Sequence, residues 1–392
     1  MSRIASILLW SVIAAAFIGP GTVTTATKAG AEGGMAYAWV IVLASVAGYI
    51  LMEMTARVTS ASGQSLGTLV QDRSGGWLPI LLFLAVGMGC VAYEAGNLLG
   101  GLKGLQLLGG VDRSFVLVLG MLATALLYMG NIRQISNGLA IIVAVMGVCF
   151  LVSGILGWTG EAGVATAPNA DGFRPAGVQN STIIALLGTT IVPYNFFIAA
   201  GLGRGKKLSD IRLGLGVSFG LGACITLGIL LTGGLLSEVF SDFQALSTVL
   251  EIKLGIIGPW MLGIGLFAAG LSSAITAPLA LALAGRALLG REDTEGRWST
   301  NGRYFRLAWA TCLLFGLTVA GLDLDLIGVI FTAQLVNGLM LPFVAGLVLW
   351  LANDTERLGD QSNRLWQNIL GGLILIYLIW VNGGLVIDKL LA

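Results

Sequence analysis

Two short segments carry the residues best suited to chemistry. Gly19-Pro20-Gly21-Thr22 is followed by Thr24, Thr25 and Lys28, and Gly188-Thr189-Thr190 leads into Pro193, Tyr194 and Asn195. Proline removes a backbone donor and clashes with the preceding turn, and glycine removes the penalty for non-helical dihedrals. Each segment therefore sets released backbone N–H and C=O groups beside neutral hydroxyls, which is equipment for holding a small ion. It is not equipment for breaking bonds. The chain has no His to serve as general base, and its acids and hydroxyls show no nucleophile–base pairing, so an enzyme is not expected. Cys90, Cys149, Cys224 and Cys312 have no CxxC spacing and read as small core residues rather than metal ligands or disulfide partners.

The elements that position these segments follow from composition. The 392 residues are 56% hydrophobic and 10% charged, with a mean hydropathy of +0.90, so the solvent for this chain is lipid. A spanning helix takes roughly 20 apolar residues. Long runs such as 139–158 and 213–235 lack the alternation of barrel strands, and the fold class is an all-α membrane protein of about eleven helices. They form one transmembrane domain: a first five-helix repeat over 1–158, a second over 182–351, and an extra helix over 366–388. A segment rich in Gly, Pro, Asn and Asp, 160–180, joins the halves. The first apolar stretch runs past its own break into a second helical half, unlike a cleaved leader. Arg57, Arg73, Arg204, Lys206, Lys207, Arg212, Arg286 and Arg357 gather on one side, whereas Lys103, Arg113 and Lys253 lie on the other. The positive-inside rule then expects a multi-pass protein of the inner (plasma) membrane with a cytoplasmic N-terminus. A formal net charge of +1 and the absence of a basic stripe exclude nucleic acid as a partner. No GxxxxGK[ST] pattern supports ATP-driven transport.

The two interrupted spans are the first members of the two halves. Non-helical backbone at membrane depth survives only where protein or a water-filled cavity surrounds it. Matched interruptions in two halves point to a secondary transporter with its site at the midplane of an inverted repeat. A single Pro could merely kink a packed helix; a matched pair with clustered hydroxyls favours the site.

At this level of detail the chain resembles the NRAMP family of divalent-metal transporters, which share the amino acid-polyamine-cation transporter fold. Gly19-Pro20-Gly21-Thr22, with Ala29-Gly30-Ala31 and Trp39 downstream, resembles the family's first-helix DPGN stretch with its downstream AGA and Trp. Leu187-Gly188-Thr189-Thr190-Ile191-Val192-Pro193-Tyr194 is similar to the sixth-helix LGATxMPH signature. Ala268-Ala269-Gly270-Leu271-Ser272-Ser273 matches the eighth-helix AAGLSS, and Gly321-Leu322-Asp323 with Gln334 matches the ninth and tenth helices. The resemblance covers most of the chain and implies 5+5 inverted repeats with helices one and six broken.

The departures fall on the ion site. The family's metal-binding Asp, Asn and Met are replaced by Gly19, Thr22 and Val192, its helix-six His by Tyr194, and its third-helix acid pair by Glu94 and Asn97. Arg306 stands where the family carries an Arg in helix nine, and Glu94 with Arg306 could relay a proton or form an ion pair. A hard or a transition dication wants anionic or soft ligands. With Gly19 in place of Asp, the N-terminal end of a half-helix is uncompensated and favours an anion. The expected substrate site is Gly19, Gly21, Thr22, Thr24, Thr25, Lys28, Thr189, Thr190, Tyr194, Asn195 and Gln334. Lys28 either adds positive charge there or pairs with Glu32 one turn on.

The reading is a sodium-coupled importer of a small anion such as bicarbonate. Moving an anion inward against the membrane potential costs about 2.3 kcal/mol per charge per 100 mV, so a driving cation is needed. Ser272 and Ser273 are the expected sodium site by resemblance to sodium-coupled relatives of the fold. No cofactor is expected beyond the coupling ion, and the partners are a small inorganic ion and the bilayer, with the protein acting as a monomer. Two alternatives stay open: a magnesium or manganese transporter of the NRAMP type, and a transporter of small amino acids or zwitterions.

Overall fold

The computed structural model describes residues 18–129, 132–159, 178–236, 239–290, 296–322 and 324–391. The expected first half of helix one, most of the inter-repeat segment 160–180, and Asp323 lie outside them. Among the described residues the secondary structure is helical. Nine helices among the described residues are long and apolar enough to cross a membrane. One of them, Pro20–Ser62, is a continuous apolar stretch divided by a 3-10 turn at Gly34–Tyr37, where Gly34 takes φ 54°. With that division, and with the shorter apolar helix Phe115–Met129, the expected set of spans is recovered.

In chain order the helices are α1 (Pro20–Gly33), α2 (Ala38–Ser62), α3 (Leu66–Ser74), α4 (Trp77–Gly109), α5 (Phe115–Met129) and α6 (Ile132–Thr159). The second half comprises α7 (Asn180–Thr190), α8 (Asn195–Gly203), α9 (Leu208–Gly233), α10 (Phe243–Leu254), α11 (Ile257–Leu288), α12 (Arg303–Gly321) and α13 (Leu326–Ala352). A short turn, α14 (Thr355–Leu358), precedes α15 (Leu365–Leu391). Local chemistry sets several of these boundaries. The Ser65 side chain accepts from Thr68 N–H to cap α3, and Asp325 does the same for α13 through Gly328 N–H. Gly63 ends α2 in the left-handed region at φ 67°.

The most extensive packing joins α4 to α11, one helix from each repeat. Against this wall α1 is ringed by α9, α7, α13 and α4. That enclosure explains an otherwise unlikely helix, since α1 buries Thr22, Thr24, Thr25 and Thr27. In hydrocarbon alone those hydroxyls would be orphaned.

The two ends of the bundle are tied differently. At the end rich in Arg and Lys, buried Glu53 of α2 binds Arg57 at 3.3 Å and Arg212 of α9 at 2.9 Å. Arg57 goes on to donate to the Gln361 carbonyl and, at 2.6 Å, to Asn363 Oδ1. At the opposite end Lys103 of α4 meets Asp242 at 2.7 Å, and Thr182 of α7 donates to Glu32 of α1 at 2.9 Å. Each end therefore carries polar ties between the repeats. Glu53→Ala would leave the buried Arg57 and its neighbour Arg212 without their shared carboxylate, and the expected loss is about 3 kcal/mol. Arg212→Ala removes a half-exposed, solvent-screened partner and should cost about 1 kcal/mol or less. Unfolding of the purified variants in detergent measures the contrast.

Candidate functional site

The site is built where two helices stop short. α1 starts at Pro20 with Gly19 as its N-cap; Gly19 supplies no side-chain cap, and no acidic residue lies in the first turn. Val23 N–H reaches back to the Gly19 carbonyl at 3.1 Å. Proline at the first helical position fits the fixed φ that helix initiation requires. The second interruption is complete in the described residues. α7 ends at Thr190, Ile191 leaves helical geometry at φ −109° and ψ 72°, and α8 restarts at Asn195 with Tyr194 as N-cap. Pro193 lies in this gap and has no N–H to leave unpaired.

The helices around these breaks bring most of the expected residues together. Thr22 of α1 and Thr189 of α7 share a hydrogen bond of 2.9 Å. Gly21 is needed for close approach, because a Cβ there would collide with the Gln334 amide of α13. A Cβ at Gly19 would lie 3.2 Å from Ser273 Oγ, which sets α11 beside the α1 break. Ser272 is also buried on α11. Thr24, Thr25, Tyr194, Asn195 and Gln334 are buried, and each carries a side-chain polar atom without a hydrogen-bond partner. Buried polar atoms are ordinarily paired. Where such atoms lie beside the break, as on Gln334 against Gly21, polar cargo or water would complete them. Thr190 differs: its hydroxyl is used within its own helix, donating to the Leu186 carbonyl at 2.9 Å.

Two expectations change. Lys28 has a local partner, with its Nζ 3.5 Å from Glu32 and 4.7 Å from the Phe331 ring centroid. The i, i+4 pair on one helix face explains this placement, and the lysine's charge is matched rather than offered to the break. Glu94 and Arg306 are not partners. Glu94 is fully buried with both oxygens unpaired, whereas Arg306 is exposed, bonded to Asn301 at 3.2 Å and stacked over Tyr128 at 5.1 Å. The Arg sits on the outer face of α12, where it stays solvated or interfacial, and no ion pair or direct proton relay joins the two.

Three further residues belong to the cluster. The Tyr93 hydroxyl on α4 faces the side chains of Thr189, Gln334 and Asn337, and its ring meets Tyr194 edge-on at 6.1 Å between centroids. Asn97 lies one turn beyond Tyr93 and is also buried. The sequence held one signal for Asn337: an amide three residues after Gln334 in an apolar span, on the same helix face. No three His, Cys, Asp or Glu side chains come together as a metal-ligating group among the described residues. The donors around the breaks are hydroxyls, amides and backbone groups.

A sequence profile described as "Natural resistance-associated macrophage protein-like" matches residues 11–388. The chain belongs to the Nramp family. It is therefore a membrane transporter rather than an enzyme, which the buried polar cluster between the repeats suits. Among curated Nramp relatives, the divalent metal cation transporter MntH of Verminephrobacter eiseniae is 22% identical over 407 residues, covering 96% of this chain and 88% of that protein. MntH 1 of Pseudomonas aeruginosa is 25% identical over 398 residues, covering 92% and 86%. The fold matches the Eremococcus coleocola manganese transporter bound to an aromatic bis-isothiourea compound with a TM-score of 0.76 at 18% identity, over 97% of this chain and 86% of that one. It also matches MhsT in complex with L-phenylalanine, with a TM-score of 0.65 at 17% identity over 96% and 98%. The expected Nramp architecture with a broken sixth span is thus present.

Two substitutions separate the roles within this Nramp site. Gly21→Ala forces the Gln334 amide out of its position and should lower transport at least tenfold while the protein still folds. Lys28→Gln should leave uptake within about twofold, because Lys28 is already paired with Glu32. Flux in reconstituted vesicles, with monodispersity as the folding control, measures both.

Proposed function

We propose that this Nramp member carries a small anion, with bicarbonate the one to test first, by alternating access around the α1 and α7–α8 breaks. The observation that carries the reading is the α1 start. Its first turn holds no acid, and the groups around it are neutral, among them Thr22, Thr189, Gln334 and Ser273. A helix N-terminus is equivalent to roughly +0.5 of a charge, and no carboxylate in the first turn cancels it. Among the described residues, the buried acid on a helix that touches α1 near the break is Glu94 on α4. Gly100 of that helix abuts Pro20, so Glu94 sits about 9 Å along the helix axis from the break, too far to be an ion ligand there. Moving a dication into hydroxyls and amides alone would leave much of its desolvation cost uncompensated.

The relatives support a second reading. Their names are those of divalent metal cation transporters, and by family likeness alone a divalent cation is the better-supported cargo. The anion reading rests instead on what this chain has at Gly19, Thr22 and Val192, where residue chemistry outweighs likeness at these identities. Coupling to sodium rests on Ser273, which lies against the α1 break, with Ser272 beside it on α11. The basic end of the bundle, with Arg57, Arg204 and Arg212, is taken as cytoplasmic.

Proteoliposome flux separates the readings. Labelled bicarbonate should accumulate in response to an inward sodium gradient, and Mn²⁺ and Mg²⁺ should not cross above the protein-free background. Manganese or magnesium flux without bicarbonate flux would replace the anion reading with the cation one. The combined substitution Gly19→Asp, Thr22→Asn and Val192→Met should reverse the preference and confer divalent-metal binding measurable by calorimetry. A Cβ at Gly19 needs Ser273 to give by only a few tenths of an ångström.

A further inference from the structure

Asn337 lies three residues beyond Gln334 on α13, about 4.5 Å nearer the basic end of the bundle. It is fully buried, and neither atom of its amide has a hydrogen-bond partner. Leaving one such group unpaired costs on the order of 1–3 kcal/mol, so an amide in this apolar helix calls for a reason. The neighbouring helix leaves room for it: a Cβ at Gly89 of α4 would lie 2.6 Å from Asn337 Oδ1. Tyr93, one turn from Gly89, turns its hydroxyl toward Thr189, Gln334 and Asn337, and Thr189 is bonded to Thr22 at 2.9 Å. A line of polar groups therefore runs from the α1 break through α7 and α4 to Asn337. Beyond it the lining becomes apolar, where Val86, Phe196, Met340 and Val344 help enclose a small cavity.

We propose that Asn337 contacts the transported ion, as the last polar station between the α1 break and the apolar segment at the basic end, and that it selects a protonated oxyanion over a halide. The proposal rests on the anion reading above. Its chemical basis is that a carboxamide offers one donor group and one acceptor. Bicarbonate can use both, giving its O–H to Oδ1 and receiving N–H from Nδ2, whereas a halide can only accept. Thr and Tyr hydroxyls along the path can turn either way, but the amide holds donor and acceptor side by side.

The test compares wild type, Asn337→Leu and Asn337→Asp for uptake of labelled bicarbonate, with chloride as competitor, and for unfolding temperature in detergent. Asn337→Leu should lower bicarbonate uptake at least tenfold and narrow the preference over chloride, while its unfolding temperature holds or rises. Replacing an unpaired polar group with an apolar one of similar size relieves its desolvation cost, whereas a purely structural amide holds its neighbours by hydrogen bonds and its loss would lower the unfolding temperature. Asn337→Asp keeps the shape and adds a negative charge, and should also lower uptake at least tenfold. Uptake within twofold of wild type in either variant overturns the proposal, as does an unchanged chloride preference in Asn337→Leu. Should Asn337→Leu fail to fold, Asn337→Asp alone decides. A wild-type protein that moves manganese but no bicarbonate overturns the anion reading and the oxyanion selectivity with it. Contact with the ion is then decided on manganese flux, supported by a tenfold loss in Asn337→Leu and refuted by its absence.

Discussion

The constraint on which this structure depends is that a helix begins inside the bundle, in a setting where lipid can satisfy none of its polar groups. α1 starts at Gly19-Pro20 and buries four threonines within its first eight residues. Such a segment can exist only as the inner strut of a ring, and the ring of α4, α7, α9 and α13 supplies it. The contacts are close because small residues stand where they must: Gly21 admits the Gln334 amide, and Gly100 lets Pro20 lie directly on α4. The α4–α11 wall behind it joins the two repeats, so the geometry of the break is held by elements from both halves of the chain.

That arrangement gives the site its electrical character. In a cation site of this architecture a carboxylate at the head of α1 would cancel the positive end of the helix. Here the position is Gly19, the first turn has no acid, and Glu94 lies two turns away along α4. What remains is the field of the helix start and a set of neutral groups able to donate hydrogen bonds. An oxyanion lowers its energy in such a field, while a dication meets the wrong end of the dipole with no ligand charge to offset its lost hydration. On the proposed anion reading, a few residues at the break set the sign of the cargo within the Nramp scaffold, and overall identity to named relatives says little about those positions.

Much of this was legible in the sequence because lipid leaves few options. The spans follow from apolar runs, and the breaks follow from Gly and Pro in the first helix of each half. The order of the short motifs led to the family. Side-chain pairing was harder to read. Lys28 had two available fates, and only the packed structure places it on Glu32 and Phe331. Glu94 and Arg306 looked like partners by analogy, yet the helical phase of α12 sends the guanidinium to the outside and leaves the carboxyl within. Thr190 reads as a site hydroxyl beside Thr189, but on a helix the two point in different directions, and its oxygen is taken by Leu186. Tyr93 and Asn337 were missed because a lone aromatic and a lone amide in apolar spans look like ordinary core residues until the tyrosine hydroxyl is seen to face the amide.

The unpaired atoms also bear on how such a protein moves. Thr24, Thr25, Asn195, Gln334 and Asn337 each carry a buried polar atom that makes no protein hydrogen bond, and such atoms are costly until something pairs with them. Cargo that pairs with several of them removes part of that cost, so binding and tight closure of the bundle favour one another. The polar ties at the ends set what opening must overcome. Glu53, Arg57 and Arg212 bind α2 to α9 at one end, and Lys103 with Asp242 joins the repeats at the other. Opening either end while the midplane is unfilled sacrifices an ionic tie and leaves the orphaned groups as they were. Hydration on the opened side supplies the compensation, because water entering there can pair with the same hydroxyls and amides that the ion would. Under the proposed alternating access, the buried polar cluster would be satisfied either by cargo with the bundle closed or by water with one end open, and that alternative would couple occupancy of the site to access.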